Sequence, residues 1–246
     1  MKIAWERHGA GPPLLLIQGL GYARWGWEPV VEPLARSFDV ILFDNRGIGK
    51  SDAPAGPYTA AQMAGDALQV LDEAGVDRAH VIGTSLGGMI AQELALAHPE
   101  RIDKLVLACT TPGGPDSVPM PEQTVKLLQN GASLREFVEN ALAPDPSSEI
   151  VERILFHREA TAQPLEAWSA QAAAGMGFDA FDRIEGIRAP TLILHGTEDV
   201  VVDSRNTALL AGRIPDVRVE LFPGTGHLFF WEKPDRFVAA VEEFLL

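Results

Sequence analysis

A single cysteine, Cys109, stands in the 246 residues, which excludes an internal disulfide framework. It closes the apolar run 105–108, so a buried, inert thiol is expected at this position and not a reactive one. Positive charge is scarce too: 20 Lys and Arg face 34 Asp and Glu, for a formal net charge of -14. Such a chain repels phosphate backbones and anionic lipid, which argues against nucleic-acid and membrane-surface partners. No apolar run approaches the length of a membrane span, and residues 1–9 contain no apolar signal core, so the cytoplasm is the expected location. Internal repeats and low-complexity tracts are missing. His8, His80, His98, His157 and His195 lack the spacing of metal ligands, and no metal or cofactor is expected.

What the chain does have is 46% hydrophobic residues, enough for a large buried core in one soluble unit. Short apolar runs alternate with amphipathic stretches, which predicts an α/β fold: a mostly parallel sheet with helices on both faces. The runs at 2–7, 14–17, 40–43, 80–83, 105–109, 191–194 and 217–222 are the expected strands. Between them lie stripes at helical spacing, such as Met63, Ala67, Val70, Leu71 and Ala74, or Phe237, Ala240, Val241, Phe244 and Leu245, which are packing faces. The region 112–186 shows helical stripes only: Leu134, Phe137, Val138, Ala141 and Leu142; Ile150, Val151, Ile154 and Leu155; Leu165, Trp168 and Ala172.

Chemistry enters at Gly83-Thr84-Ser85-Leu86-Gly87, between a strand-like run and a helix-like stretch. A serine on so tight a turn sits in a strained backbone conformation, and the residues two before and two after it must lack bulk. Gly83 and Gly87 satisfy that requirement. The alternative for Ser85 is a plain helix N-cap. Downstream, the strand at 191–194 leads into His195-Gly196-Thr197-Glu198-Asp199, and the one at 217–222 into Pro223-Gly224-Thr225-Gly226-His227. The order is nucleophile, acid, histidine.

On these motifs the chain resembles the α/β-hydrolase fold serine hydrolases, nearest their enol-lactonase and small carboxylesterase branch. Further matching stretches are Leu14 to Gly19, Asp44 to Ser51 and Glu232-Lys233-Pro234. The resemblance implies a core of residues 1–111 and 187–246, with 112–186 as a helical cap inserted between the sixth and seventh core strands. It implies Ser85 as nucleophile, His227 as general base and Asp199 as the acid that fixes the imidazole tautomer. Glu198 and Asp103 are the competing acids; the Gly-x-x-Asp spacing from Gly196 favours Asp199. An oxyanion hole is expected from the backbone N–H groups of Leu20 and Leu86. Gln18 departs from the pattern, standing where many relatives carry a histidine. Asp44-Asn45-Arg46-Gly47-Ile48-Gly49 lacks the third glycine of a dinucleotide loop; the resemblance implies that this segment braces the loop beside the active site, with Arg46 structural.

Two tryptophans are candidates for the pocket. Trp25 follows the oxyanion loop with Tyr22 and Trp27; packing is expected of all three before substrate contact, and Trp25 is the best candidate among them for the pocket wall. Trp168 either roofs the site or packs its own helix onto the cap through Leu165 and Ala172. His195 is expected to be a structural strand-end residue. The expected activity is hydrolysis of a small ester or lactone without a cofactor; other enzymes of the family with this triad cleave carbon-carbon bonds, release N-terminal proline or form peracids, and a slow-turnover receptor is the alternative of another class. Region 112–186 carries 12 Asp and Glu against 5 Lys and Arg, a diffuse field that favours a neutral substrate unless Arg135 or Arg158 reverses it locally.

Overall fold

The computed structural model describes all 246 residues. Seven strands form one sheet: β1 (Trp5–Gly9), β2 (Pro13–Ile17), β3 (Asp39–Phe43), β4 (Ala79–Thr84), β5 (Ile102–Ala108), β6 (Thr191–Gly196) and β7 (Val217–Phe222). Their spatial order is β1-β3-β2-β4-β5-β6-β7, with β1 antiparallel to β3 and every other pair parallel. The helices are α1 (Glu28–Leu34), α2 (Ala60–Glu73), α3 (Leu86–Ala97), α4 (Glu122–Asn130), α5 (Leu134–Asn140), α6 (Ser148–Ala160), α7 (Leu165–Met176), α8 (Asn206–Ala211), α9 (Phe229–Glu232) and α10 (Pro234–Leu245).

Strands buried on both faces are apolar without alternation, and β2 to β6 follow that rule. Leu15, Ile17, Val81, Leu105 and Ile193 point to the face covered by α2 and α3, and Leu14, Leu16, Ile82, Val106 and Leu192 to the face covered by α1 and α10. The sheet edges differ: β1 shows Glu6, Arg7 and His8 to solvent, and charge on an edge discourages pairing with another chain. The first strand starts at Trp5, later than the expected residue 2, and β5 stops at Ala108 because Cys109 turns to φ 43°.

Four helices, α4 to α7, lie in 112–186. They enter between β5 and β6, the fifth and sixth strands, where a place between the sixth and seventh was expected: only five strands precede residue 112. Val138, Ala141, Leu142, Val151, Ile154 and Leu155 join one core cluster, while Ala170 and Ala174 join the other. The insertion is thus continuous with both halves of the core. No helix is long and apolar enough to cross a membrane.

Candidate active site

Ser85 lies between β4 and α3 with φ 54° and ψ -121°, and its side chain makes no capping bond, so it is not a plain helix N-cap. A side chain at Gly83 would strike the Gly87 carbonyl oxygen, and one at Gly87 the Ile17 carbonyl oxygen. Glycine is required at both. The turn is anchored from below: Ser85 N–H donates to the Ala108 carbonyl (2.9 Å), and Thr110 Oγ1 donates to the Ser85 carbonyl (2.8 Å).

Asp199 follows β6 and His227 follows β7. Gly196 lets their loops touch, since a Cβ there would meet the carbonyl oxygens of Gly226 and Thr225. Asp199 Oδ2 lies 2.7 Å from His227 Nδ1, and Oδ1 accepts the N–H groups of Val201 (2.8 Å) and Val202 (2.9 Å). Burial opposes the charge on this carboxyl, but the His227 imidazole and the hydrogen bonds from His195 and His227 outweigh it and hold the carboxyl well below the usual range. Asp199 is therefore ionised, Nδ1 of His227 carries a hydrogen, and Nε2 is left as the acceptor. Neither competing acid is placed for this role. Glu198 is exposed and contacts Thr197, and Asp103 begins β5 in an ion pair with Arg78 (2.7 Å).

Ser85, His227, Leu20, Leu86 and Trp168 all line one cavity of about 850 Å³, with Met89, Val118, Leu134 and Phe137 among its apolar walls. Gly19 brings the loop that carries Leu20 against the serine, because a Cβ at Gly19 would lie 3.0 Å from that of Ser85. Leu86 is the first residue of α3, where the N–H groups precede the helix's own hydrogen-bond ladder. The departure at Gln18 has a structural counterpart. Its Oε1 accepts the Gly19 N–H (2.9 Å) and the Thr84 hydroxyl (3.1 Å), and Asn45 Nδ2 donates to the Gln18 carbonyl (2.8 Å). Arg46 is structural, bound to both oxygens of Asp66 (2.6 and 2.7 Å).

Of the two tryptophans, one is corrected. Trp25 does not line the cavity: it stacks on His157 of α6 at 5.0 Å and donates to Thr161 Oγ1 (2.8 Å). Tyr22, three residues earlier, occupies the wall instead. Trp168 lines the cavity together with Leu165 and Ala172, while the opposite face of α7, Ala167, Ala170 and Ala174, is buried. The stripe is a roof and not a packing face, and the helix is pressed to the core by alanines that let backbones approach closely. Cys109 is buried, and burial with the Asp199 charge pushes its thiol well up, as expected for an inert group.

Two residues around the site went unassigned by sequence reasoning. His195, expected to be structural, is in contact with Asp199 itself. Glu232 of α9 accepts the N–H groups of Gly226 (2.7 Å) and Ala143 (3.0 Å), tying the His227 loop to the inserted region. The only signal for His195 was its i, i+4 spacing to Asp199, and for Glu232 the Glu-x-Pro match. No three or more His, Cys, Asp and Glu are grouped so as to hold a metal ion.

A family profile described as the alpha/beta hydrolase fold matches residues 12–234. A protein of Azorhizobium caulinodans that bears the name of a carbamate hydrolase, RutD, is 34% identical over 240 residues, covering 95% of this chain and 91% of its own. The 2-hydroxy-6-oxononadienedioate/2-hydroxy-6-oxononatrienedioate hydrolase of Cupriavidus pinatubonensis is 34% identical over 255 residues, covering 96% and 88%. Among solved structures, the enol-lactonase of Burkholderia xenovorans superposes with a TM-score of 0.87 at 28% identity, covering 99% of this chain and 96% of that one. The chain belongs to the α/β-hydrolase fold family and is a hydrolase.

Proposed function

We propose that the chain is a serine hydrolase that cleaves carboxylic esters or lactones of a small substrate through an acyl-enzyme, with Ser85, His227 and Asp199 as its triad. The observation that carries this reading is the 2.7 Å contact between Asp199 Oδ2 and His227 Nδ1, which leaves Nε2 as a base in the cavity that Ser85 also lines. Ser85 Oγ attacks the carbonyl carbon while its proton passes to His227 Nε2, and the Asp199 carboxylate stabilises the imidazolium. Charge that develops on the carbonyl oxygen is met by the N–H groups of Leu20 and Leu86. Collapse breaks the bond to the leaving oxygen, which takes the proton from His227. Water, deprotonated by the same nitrogen, then releases the acid and restores Ser85. In a lactone the leaving oxygen stays attached, and the product is one hydroxy acid.

The helices α4 to α7 serve as a cap that roofs the cavity and keeps bulk water from the acyl-enzyme. A fluorophosphonate is expected to label wild-type protein at Ser85 and to leave Ser85→Ala unlabelled. Short p-nitrophenyl esters and small lactones are expected to turn over at about one per second or faster. One burst of p-nitrophenol without turnover would support a receptor instead. The names of the relatives favour a second reading on the same triad, in which the bond cleaved is a carbamate or a carbon-carbon bond. A competitive panel of ester, lactone, carbamate and vinylogous 1,5-diketone decides between them by kcat/KM.

A further inference from the structure

In the mechanism proposed above, the loop after β2 supplies the Leu20 N–H, yet the loop's own backbone is poorly suited to hold it. Leu20 sits between Gly19 and Gly21, and Gly21 has φ 73°. Glycine on both sides leaves the peptides around Leu20 free to rotate, so a donor aimed at the serine needs restraint from elsewhere. Side chains supply that restraint. Gly19 N–H donates to Gln18 Oε1 (2.9 Å), and Gly21 N–H donates to Gln171 Oε1 (3.3 Å). Leu20 N–H makes no hydrogen bond within the chain. Of three successive donors, the outer two are spent on glutamine oxygens and the middle one stays free for a ligand.

Gln171 reaches this loop from the inserted helices, 150 residues further along the chain. It lies on α7 and is fully buried. Its Nε2 donates to the Arg46 carbonyl (2.6 Å), which fixes the end of the amide that offers oxygen to Gly21. The helix is seated close by: Tyr58 N–H donates to the Ala170 carbonyl (3.2 Å), and a Cβ at Gly56 would strike that of Ala170. Arg158 of α6 holds the other end of the same residue, donating from Nη1 to the Gly21 carbonyl (2.6 Å). Both polar groups of the Gly21 backbone are thus bonded to the insertion. Attachment of the insertion to the core does not require this contact. Gln163 ties it to the same core loop, at the Gly47 carbonyl (2.8 Å), with no hydrogen bond to residues 19–21.

We infer that Gln171 is a positioning residue for acyl transfer: through Gly21 it aims the Leu20 N–H at the oxyanion, so the oxyanion hole is complete only while α7 is seated on the core. This rests on the acyl-transfer reading above. The charge that Leu20 meets develops in the transition state, so a misaligned donor lowers kcat and leaves KM nearly unchanged.

The test compares p-nitrophenyl acetate with p-nitrophenyl thionoacetate, each enzymatic rate divided by that of the ester's reaction with hydroxide. Sulfur accepts hydrogen bonds weakly, so the oxo-to-thiono ratio of kcat/KM reads the oxyanion hole, whereas damage to Ser85 or His227 lowers both rates alike. Wild type is expected to favour the oxo ester by about a hundredfold. Gln171→Met keeps the side chain's length and removes both hydrogen bonds; it is expected to lower that ratio and kcat by about tenfold, with KM within about twofold. Gln163→Met, which loosens the same insertion, is expected to move the ratio by less than about twofold. A ratio that Gln171→Met leaves unmoved overturns the inference, as does an equal fall in Gln163→Met. Amide hydrogen exchange on wild type needs neither a variant nor a substrate. Gly19 and Gly21 N–H groups are expected to exchange at least about tenfold more slowly than that of Leu20, after correction for intrinsic rates. If wild type hydrolyses neither ester, the acyl-transfer reading fails, while slow exchange at Gly21 beside fast exchange at Leu20 keeps Gln171 as the residue that shapes this loop. Equal exchange at Gly21 and Leu20 overturns that role whatever the esters do.

Discussion

His195 Nε2 lies 3.0 Å from Asp199 Oδ2, with both side chains fully shielded from solvent. The same nitrogen is 3.0 Å from the Val202 carbonyl, and Nδ1 is 3.0 Å from Thr207 Oγ1. Carbonyl and carboxylate only accept, so Nε2 carries the hydrogen, and Nδ1 accepts from the threonine. Two imidazoles therefore donate to one carboxylate oxygen: His227 from the cavity and His195 from the core. On the proposed mechanism, His195 is a positioning residue that holds the Asp199 carboxylate in place.

Replacing His195 by phenylalanine keeps an aromatic ring at this position and removes its contacts with Asp199, Val202 and Thr207. The expected result is a fall in kcat of about tenfold with little change in KM, and a loss of about 1–3 kcal/mol of stability from the unpaired Thr207 hydroxyl and Val202 carbonyl. Steady-state kinetics and thermal melts measure the two effects. An unchanged kcat would leave His195 with a role in packing alone.

Asp199→Asn is expected to cost far more, about three to four orders of magnitude in kcat, because an amide at this position favours the wrong imidazole tautomer. Glu198→Gln, at an exposed site one residue away, is expected to change kcat less than about twofold. Reversed outcomes would transfer the acid's role to Glu198.

The same carboxyl makes stability depend on pH. Its folded-state pKa lies below the ordinary value, so the contribution is present above the unfolded pKa of about 3.9 and is lost as pH falls through that value toward the folded one. Between about pH 4 and 2 wild type is expected to lose about 1–3 kcal/mol more than Asp199→Asn. Parallel melting curves across that window would show that Asp199 is not preferentially ionised in the folded state.

How far the sequence carried each element depends on what encoded it. The Ser85 turn was legible because steric crowding demands glycine at 83 and 87, and the placement of Asp199 and His227 because they follow strand ends in a fixed order. Both faces of the sheet were legible from unbroken apolar runs. The inserted helices were legible as helices, yet their orientation was not, since the Leu165, Trp168 and Ala172 stripe has the same spacing whether it meets a core or a cavity. What α7 presses on the core is a row of alanines, which carries almost no hydropathy signal. Tyr22 and Trp25 are three residues apart in one loop, and only the position of His157, 132 residues further on than Trp25, decides which ring is drawn away from the cavity. Arg158 likewise depends on a contact with a distant backbone carbonyl.

Trp168 is partly exposed to the cavity and belongs to its roof. Trp168→Ala is expected to shift the kcat/KM ratio toward longer acyl esters by about tenfold, with a loss of less than about 1.5 kcal/mol, because a roof ring leaves less of a sealed void than a core ring. A loss of 3–5 kcal/mol with unchanged chain-length preference, typical of about that size for a buried Trp→Ala, would return Trp168 to the cap core.

Glu232 joins two parts of the chain that the mechanism needs together. Burial raises its carboxyl above the ordinary range against the pull of the two N–H groups it accepts. Each oxygen takes one donor, from Gly226 and from Ala143, and the Leu228 N–H adds a second link to the inserted region at the Ala141 carbonyl (2.8 Å). Glutamine has the same shape but one acceptor, so Glu232→Gln turns an NH₂ toward a backbone N–H. The expected cost is about 1–3 kcal/mol of stability, together with a fall in kcat as the loop bearing His227 loosens. Labelling by a fluorophosphonate is expected to slow in proportion, since it needs the same base. Glu232→Ala, which removes both acceptors, is expected to go further in the same direction on all three measures. If Glu232→Gln melts early but labels at the wild-type rate, the carboxylate braces the fold without holding the base, and the position of His227 must then be set by Asp199 alone.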